Sequence, residues 1–456
     1  MSRVLRALDR HWFAPASLRE LAVVRIVVVA GQLFLFYPPL AWELWLAGAD
    51  PKTYLPIPAL KVLMLPFGHW GVRPGPMFLH AVWLLGIVAG VLAIIGLSTR
   101  LSLFVFAAVN TLLIAHTYSY GEYHHPEAVM VIALWVLAAS PAGAAWSVDA
   151  LKRRIHGALA SMRFEPQSAQ DDLSPFARWP VRLIQWVLAL AYLSAALSKL
   201  GNSGLSWFNG YTLAYYWIQD GLRFNVVGQG ASWGIWLSHH LMLASALSIG
   251  ATFIELTFVL AVLVPRMAWF YVLAGAGMHT AIYFAQGAPF FQYIVLYIVF
   301  IEALRQPFLR HAPVVASASA AISTPEPVLL GATRHWTIIY DGLCPLCVRS
   351  MVVLDFLDVR HRLRFIDMER DWARAAALAP RVTPAEAHHL MHVVSPDGQV
   401  YRGFFAFRAL ARALPLLWPL LPLYHAPFAS VVGPRIYGGI ARVRGTTPCR
   451  VETCGV

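Results

Sequence analysis

Long apolar runs separated by short loops constrain this chain more than any other feature. An α-helix needs about 20 mostly apolar residues to cross the hydrocarbon core of a bilayer. The chain has 456 residues, of which 59% are hydrophobic and 13% charged, more apolar surface than one water-soluble core can hide. It therefore predicts a polytopic α-helical membrane domain of about eight transmembrane helices. The predicted spans are 20–40, 78–97, 101–118, 126–141, 181–200, 242–264, 267–284 and 288–304.

Positive charges in the short loops predict how these spans are oriented. If the N-terminus lies inside, the inner loops hold most of the Lys and Arg, including Lys152, Arg153 and Arg154, as the positive-inside rule requires. This predicts a multi-pass protein of a bacterial-type cytoplasmic membrane, with both termini in the cytoplasm and the lipid bilayer as its main partner. The 35 Lys and Arg against 23 Asp and Glu lie in loops and not on one basic face, which argues against nucleic-acid binding.

The composition changes abruptly after the eighth predicted span. Residues 311–334 are rich in Ala, Ser and Pro, which is typical of a linker that neither packs nor spans a membrane. Beyond it, strand patterns at 336–340, 363–367, 391–395 and 400–403 accompany a helix pattern at 348–357 and a turn at 396–398. The sequence thus predicts a membrane domain at 1–310, the linker, and a small C-terminal α/β domain at 335–456.

All four cysteines lie in this last region, and two of them form a motif. The sequence at 340–347 is YDGLCPLC, an Asp-x-x-Cys-x-x-Cys pattern directly after a predicted strand. It resembles the signature of the DCC family of thiol–disulfide oxidoreductases, and later residues, including Asp397, Gly398, Gly403 and the run at 440–444, fit the same family across 335–456. The resemblance implies a thioredoxin-like fold. Unlike thioredoxin, the chain has no Pro directly before the strand at 391–395.

The chemistry of the motif agrees with this resemblance. A thiol at a helix N-terminus meets partial positive charge, which lowers its pKa and favours the nucleophilic thiolate. We expect Cys344 to attack a disulfide of a thiol-redox partner, Cys347 to resolve the mixed disulfide, and Asp341 to take or relay a proton. Two alternatives remain open. The pair could form a four-thiolate zinc site with Cys449 and Cys454, or consist of inert thiols in a binding domain.

The membrane part contains a series of short motifs. In chain order they are His124-His125, Trp146-Ser147-Val148-Asp149, AYLSAALSKL at 191–200 with Trp207, Gly210 and Tyr211, and His279. They are similar, in order, to segments of the vitamin K-dependent gamma-carboxylase and point to its bacterial relatives, the HTTM proteins, over about 10–310. The resemblance implies that Lys199 is a base that deprotonates a reduced, vitamin K-like quinone, with His279 and His125 assisting. The large lumenal domain that holds the carboxylase's protein substrate is missing.

The predicted topology places titratable groups of several spans at the outer face. These are Lys199, His125, His116 and His279. A lysine in apolar surroundings has a lowered pKa and can act as a base; alternatively, Lys199 only extends to the headgroups. The histidines lie on different spans without ligand spacing, so no metal site is predicted. Glu255 is either a buried partner of Arg25 or a proton site.

Two functions from different classes follow. The first is a membrane redox protein in which a quinol-dependent, carboxylase-like site at Lys199 is coupled to a cytoplasmic thiol–disulfide oxidoreductase domain. The second is a non-catalytic scaffold or transporter-like module that anchors the thiol-redox domain. The predicted topology places Cys344 and Lys199 on opposite sides of the bilayer, which argues against direct reaction between the two sites.

Overall fold

The computed structural model describes residues 3–67, 73–121, 125–168, 171–226, 233–302 and 335–444. These residues are mostly helical and divide into two units. The first unit consists of Met1–Asp149 and Gln170–Val315, and the second of Ala150–Ala169 and Ala316–Val456. The predicted linker at 311–334 lies outside the described residues.

The first unit is built from helices, with one short strand pair, β1 (Ala16–Ser17) and β2 (Leu173–Ser174), which is antiparallel. The helices, in chain order, are α1 (Arg3–Phe13), α2 (Leu18–Leu35), α3 (Leu40–Ala47), α4 (Pro58–Met64), α5 (Pro76–Ile95), α6 (Thr99–Tyr118), α7 (His125–Ala139), α8 (Val148–Ser161, which belongs to the second unit from Ala150 on), α9 (Arg178–Ser203), α10 (Tyr211–Val226), α11 (Gly234–Leu237), α12 (Leu241–Thr257), α13 (Val259–Leu263), α14 (Ala268–Gln286) and α15 (Phe291–Leu296).

The number of candidate membrane spans is smaller than the predicted eight. In the described part of the chain, four helices are long and apolar enough to cross a membrane, or up to six if each of two bent pairs is one span. The four are Pro76–Ile95, Thr99–Tyr118, Pro175–Phe208 and Leu241–Leu263, and each overlaps a predicted span. The predicted fourth and eighth spans are the shorter apolar helices Pro126–Ala139 and Phe291–Phe300. The count of eight is therefore not confirmed.

The first predicted span, 20–40, is broken. Helix α2 ends at Leu35, and α3 starts at Leu40 in a direction that differs by 57°. Pro38 and Pro39 stand between them. Proline has no N–H to donate and disfavours helical conformation in the residue before it, so one continuous helix cannot pass through this point.

The tetrapeptide at 146–149 has a structural role in the first unit. Both carboxylate oxygens of Asp149 accept hydrogen bonds from the first amides of α6, from Ser98 at 2.9 Å and from Thr99 at 2.7 Å. The fully buried Arg25 donates to the Trp146 carbonyl at 2.6 Å. The two bonds to Asp149 satisfy N–H groups that have no partner within the helix at the start of α6. The resemblance to the carboxylase at this tetrapeptide thus falls on residues that hold the α5–α6 corner.

The second unit contains a four-stranded sheet of the order β4-β3-β5-β6. Its strands are β3 (Trp336–Tyr340), β4 (Leu363–Asp367), β5 (His392–Val394) and β6 (Val400–Arg402). Strand β3 is parallel to β4 and antiparallel to β5, and β5 and β6 form an antiparallel hairpin. Its helices after β3 are α16 (Pro345–Leu357), α17 (Trp372–Leu378), α18 (Pro384–His389), α19 (Phe404–Ala413), α20 (Leu421–Tyr424) and α21 (Ala429–Arg444). The predicted small α/β domain is confirmed as a sheet-containing unit.

Residues from outside the C-terminal segment complete the core of this unit. Phe164, which follows α8, is 7% exposed and packs edge-on against Phe365, with the ring centroids 4.8 Å apart, and against Tyr340 at 6.1 Å. Arg154 of α8 forms an ion pair with Asp355 of α16. The segment Ala150–Ala169, which belongs to this unit, therefore supplies part of the hydrophobic core around β3.

Candidate functional site

The thiol pair lies at the junction between β3 and α16. Cys344 is the N-cap of α16, Pro345 is its first residue, and Cys347 follows on the first turn. Both cysteines are thiols, 8% and 9% exposed, in the same buried cluster as Val348 and Met351. The N-terminus of a helix carries partial positive charge, which stabilises a thiolate at Cys344 over the thiol. The pair thus lies at a strand-to-helix junction, as the sequence predicts.

The loop before Cys344 is fixed by two aspartates. The Asp341 carboxylate accepts a hydrogen bond from the Leu343 amide at 2.9 Å, and the Asp367 carboxylate accepts one from the Gly342 amide at 3.2 Å. A Cβ atom on Gly342 would lie 2.1 Å from Asp367 Oδ2, so only glycine fits without moving that carboxylate. Asp341 therefore positions the turn, and its predicted proton relay stays a prediction.

A histidine and a second carboxylate accompany Asp341. His388 Nδ1 lies 3.7 Å from Asp341 Oδ2, and His388 Nε2 lies 3.5 Å from Glu369 Oε1. The ligand atoms of the three residues are within 4.8 Å of one another. Such a set can hold a metal ion or exchange protons. His388 and Glu369 were not predicted as site residues, because they are distant from Asp341 in the sequence and no motif joins the three.

Helix α21 contacts the buried cluster that contains both thiols. The Met391 amide donates a hydrogen bond to the Tyr437 hydroxyl at 3.0 Å, and Met391 belongs to the same buried cluster as both cysteines. Leu343 and Leu346, on either side of Cys344, are 51% and 39% exposed. Two exposed apolar side chains therefore lie beside the thiols. Tyr437 bonds to Met391, the first residue of the predicted strand at 391–395, which has no proline directly before it.

One buried histidine of this unit predicts a pH dependence of its stability. Burial lowers the pKa of His392 below its ordinary value of 6.5, and Arg402 adds to the effect. Below pH 6.5 the unfolded chain then binds more protons at this residue than the folded unit does. The free energy of unfolding should therefore fall as the pH decreases from 7.5 to 5.5, by at most about 1.4 kcal/mol per pH unit.

Thermal unfolding of the full chain in nanodiscs, monitored by hydrogen exchange at β5, measures this pH dependence of stability. His392→Leu should reduce the pH slope. His389→Leu, at an exposed neighbour, should leave it unchanged. Equal slopes in the wild type and both variants would contradict the assignment.

In the first unit, Lys199 of α9 forms an ion pair with Glu255 of α12. Lys199 Nζ lies 2.6 Å from both carboxylate oxygens and 5.5 Å from the centroid of the Trp207 ring. The Lys199 side chain is 26% exposed, and that of Glu255 is 8% exposed. The predicted pairing of Glu255 with Arg25 is wrong, because Glu255 pairs with Lys199 and Arg25 bonds instead to backbone carbonyls.

His279 belongs to a buried aromatic cluster in the same unit. The Tyr192 hydroxyl lies 2.6 Å from His279 Nε2 and is also hydrogen-bonded to the Tyr297 hydroxyl. His279 stacks on Tyr293 with a centroid distance of 4.9 Å. Tyr192 and Lys199 are both on α9, seven residues apart, so they share one face of that helix. The Lys199 and His279 contacts are therefore joined by one helix face. Tyr192 lies within the motif at 191–200, but neither Tyr192 nor Tyr297 was predicted as a site residue.

The other predicted histidines are placed differently. The side chain of His125 lies outside the described residues. His116 is fully buried, and its Nδ1 atom lies 2.6 Å from Glu43 Oε2. His116 and Glu43 therefore bond to each other, and neither is among the residues described as contacts of Lys199 or His279. Cys449 and Cys454, which the zinc alternative requires, also lie outside the described residues.

Comparison with known proteins gives one match, which covers part of the second unit. Residues 338–450 match the family model described as DCC1-like thiol-disulfide oxidoreductase. No curated protein and no solved structure matches the chain. Residues 338–450 thus form a DCC1-like thiol–disulfide oxidoreductase domain, in a chain that also carries several helices long and apolar enough to cross a membrane. The resemblance of the first 310 residues to the HTTM proteins stays a prediction.

Proposed function

We propose that the chain is a membrane-anchored thiol–disulfide oxidoreductase whose redox-active groups are Cys344 and Cys347. The observation that carries the proposal is the position of Cys344 as N-cap of α16, with Cys347 on the first turn of the same helix. This places a stabilised thiolate next to a second thiol that can resolve a mixed disulfide. The match of residues 338–450 to the DCC1-like family supports the same activity.

The reaction is an exchange in two steps. The Cys344 thiolate attacks one sulfur of a partner disulfide, so that an S–S bond forms to Cys344 and the partner's other sulfur leaves as a thiolate that takes up a proton. Cys347, after losing its proton, attacks the Cys344 sulfur and releases the partner's first thiolate. The partner is reduced by two electrons, and the Cys344–Cys347 pair is oxidised by two. A second, dithiol partner reduces the pair again, and the same steps in reverse oxidise a substrate.

Asp341 and His388 are the groups proposed to move the proton of Cys347. His388 faces Asp341 at 3.7 Å, and the Asp341 carboxylate is already held by the Leu343 amide. A carboxylate in this position can accept a proton and pass it to an exposed imidazole. The substrate itself is a disulfide of a partner protein that reaches the apolar surface around Leu343 and Leu346.

The full chain in nanodiscs tests the proposal with a glutathionylated peptide as substrate and dithiothreitol as reductant. We expect turnover above the rate of dithiothreitol alone, together with a protein that contains no zinc after purification. A rate equal to dithiothreitol alone, or stoichiometric zinc released only when the cysteines are modified, would overturn the proposal. The zinc result would instead favour a structural thiolate site.

A second candidate function concerns the first unit, where we propose a proton-transfer site that acts on a reduced quinone. The supporting observation is a set of polar groups placed in apolar helices, with Lys199–Glu255 and Tyr192–His279–Tyr297 on one face of α9. Ionisable groups among apolar helices are costly and commonly functional. A bound quinol would release two protons and pass its two electrons to dioxygen, giving a quinone and hydrogen peroxide. The chain's own Lys199 and Glu255 would hold and exchange one of these protons.

Replacing Lys199 tests this candidate in two ways. Lys199→Met leaves the buried Glu255 carboxylate without its partner and should destabilise the first unit by about 2–4 kcal/mol. Lys199→Met/Glu255→Gln should recover most of this loss, since no charge is then unpaired. Thermal stability in nanodiscs measures both effects. If the single and double variants are equally stable, the ion pair does not contribute as described.

Quinol oxidation by the same variants separates function from stability. Turnover should be lost in the stable double variant and kept in Lys152→Met, an exposed lysine of α8. Unchanged turnover in the double variant would remove the quinol site. The first unit would then be an anchor for the thiol domain, the scaffold alternative.

A further inference from the structure

The C-terminal helices carry an exposed apolar surface. Nine large apolar side chains between Leu416 and Ile440 are each 40–60% exposed, among them Leu423, Phe428, Val431 and Ile436. We call these nine residues the apolar patch. They are Leu416, Trp418, Leu420, Leu423, Phe428, Val431, Val432, Ile436 and Ile440. An exposed apolar surface of this kind marks an interaction site in most proteins.

The charged side chains of the segment that carries the apolar patch are of one sign. Residues 403–444 contain five arginines, Arg408, Arg412, Arg435, Arg442 and Arg444, and no Asp or Glu. On α21, Val432, Ile436 and Ile440 recur every four residues and so form one stripe, with Arg435 and Arg442 beside it and exposed. Arginine next to an apolar stripe suits an anionic bilayer surface, because the stem stays in apolar surroundings while the guanidinium reaches phosphate groups.

The geometry of these helices favours lying on a membrane over crossing it. Residues Pro415–Tyr424 and Ala429–Arg442 are apolar enough to span as a pair, but they are bent by 112°. The inner side of α21 packs on the domain. A Cβ atom on Gly433 would lie 2.3 Å from the Phe404 ring, and the Tyr437 hydroxyl accepts the Met391 amide. One side of α21 is therefore covered by protein, whereas the side chains of the apolar stripe are exposed.

From these observations we infer that the apolar patch and its arginines form a docking surface for an anionic lipid bilayer, in which α20 and α21 lie in the headgroup region. Trp418, 47% exposed at the start of this segment, suits the same depth. Because Tyr437 of α21 bonds to Met391 of the thiol cluster, docking holds the thiol pair near the membrane surface. The docking surface does not depend on the proposed thiol chemistry, so the two can fail separately.

Photocrosslinking in the full chain tests the docking surface. Ile436→p-benzoylphenylalanine places a photoreactive ketone in the apolar stripe, and Arg381→p-benzoylphenylalanine places it at an exposed residue before α18. Both proteins are reconstituted in vesicles of phosphatidylcholine with phosphatidylglycerol and irradiated, and lipid adducts are quantified by mass spectrometry. We expect at least a fivefold higher yield of lipid adducts at position 436 than at position 381.

The charge contribution is tested in the same system. Arg435→Glu/Arg442→Glu, and vesicles of phosphatidylcholine alone, should each lower the adduct yield at position 436 several-fold. Hydrogen exchange at β3 shows whether the variant is folded. An adduct that joins two copies of the chain, a yield at position 436 no higher than at 381, or yields independent of charge would overturn the inference.

Discussion

Replacing Cys344 by serine is expected to lower the rate of disulfide exchange by about 100-fold or more, because the hydroxyl is not a nucleophile under conditions where the thiolate is. Cys347→Ser should behave differently. With the resolving thiol removed, the first step still forms a mixed disulfide between Cys344 and the partner, and this adduct should accumulate. Mass spectrometry of the full chain after incubation with a glutathionylated peptide detects it.

The two cysteine variants are controls for each other. Both side chains are 8–9% exposed and lie in one buried cluster, so a loss of rate through local unfolding would appear in both. Accumulation of the adduct in Cys347→Ser only, with none in Cys344→Ser, assigns the nucleophile to Cys344. An adduct formed on Cys347 in the Cys344→Ser protein, at a rate near that of the wild type, would reverse the two roles.

Replacing Phe164 by alanine is expected to destabilise the second unit by about 3–4 kcal/mol, the usual cost of removing a buried aromatic side chain. Phe164 is 7% exposed and contacts the rings of Tyr340 and Phe365. The loss should appear as faster hydrogen exchange in β3 and β4, although Phe164 precedes both strands by more than 150 residues in the sequence.

Phe405→Ala is the matched control for this substitution. It removes the same side chain from a position that is 43% exposed in the same unit, so its effect on exchange in β3 and β4 should be small. A segment of 335–456 expressed alone lacks Phe164, so it should show the same faster hydrogen exchange in β3 and β4 as Phe164→Ala. If Phe164→Ala leaves exchange in β3 and β4 unchanged, the loop after α8 does not belong to the core of the thiol domain.

The sequence predicts the second unit well because its signals are local. Short runs with β-branched and aromatic residues coincide with β3 and β4, and the Cys-x-x-Cys motif directly after β3 places Cys344 at the start of α16. The contribution of Phe164 could not be predicted. A single aromatic residue in a polar loop carries no periodic signal, and its burial depends on a contact between segments that are distant in sequence.

The first unit shows the limits of the same patterns. Apolar length predicts helices at the right places, but it does not show that Pro38 and Pro39 turn the chain by 57° between α2 and α3. Lys199 and His279 were named as candidates from the sequence. Their partners Glu255 and Tyr192 are set by packing between α9, α12 and α14, which the sequence of any one helix does not contain.

The His388–Asp341–Glu369 group illustrates the same point at the thiol site. Asp341 is part of a motif, whereas His388 is on α18 and Glu369 follows β4. Asp341 and Glu369 follow the carboxyl ends of the adjacent parallel strands β3 and β4, and His388 lies close to both carboxylates. A sequence motif can name the residue that begins such a group, and the sheet topology selects its partners.

A redox titration of the full chain in nanodiscs tests the proposed thiol chemistry most directly. The protein is equilibrated in glutathione buffers of defined potential, free thiols are alkylated, and mass spectrometry reports the state of Cys344 and Cys347. The account predicts that both cysteines change together in one two-electron transition, with a midpoint roughly between −270 and −120 mV, the range of known oxidoreductases of this chemistry. Two cysteines that stay reduced at every potential, or that react only after zinc is removed, would contradict it.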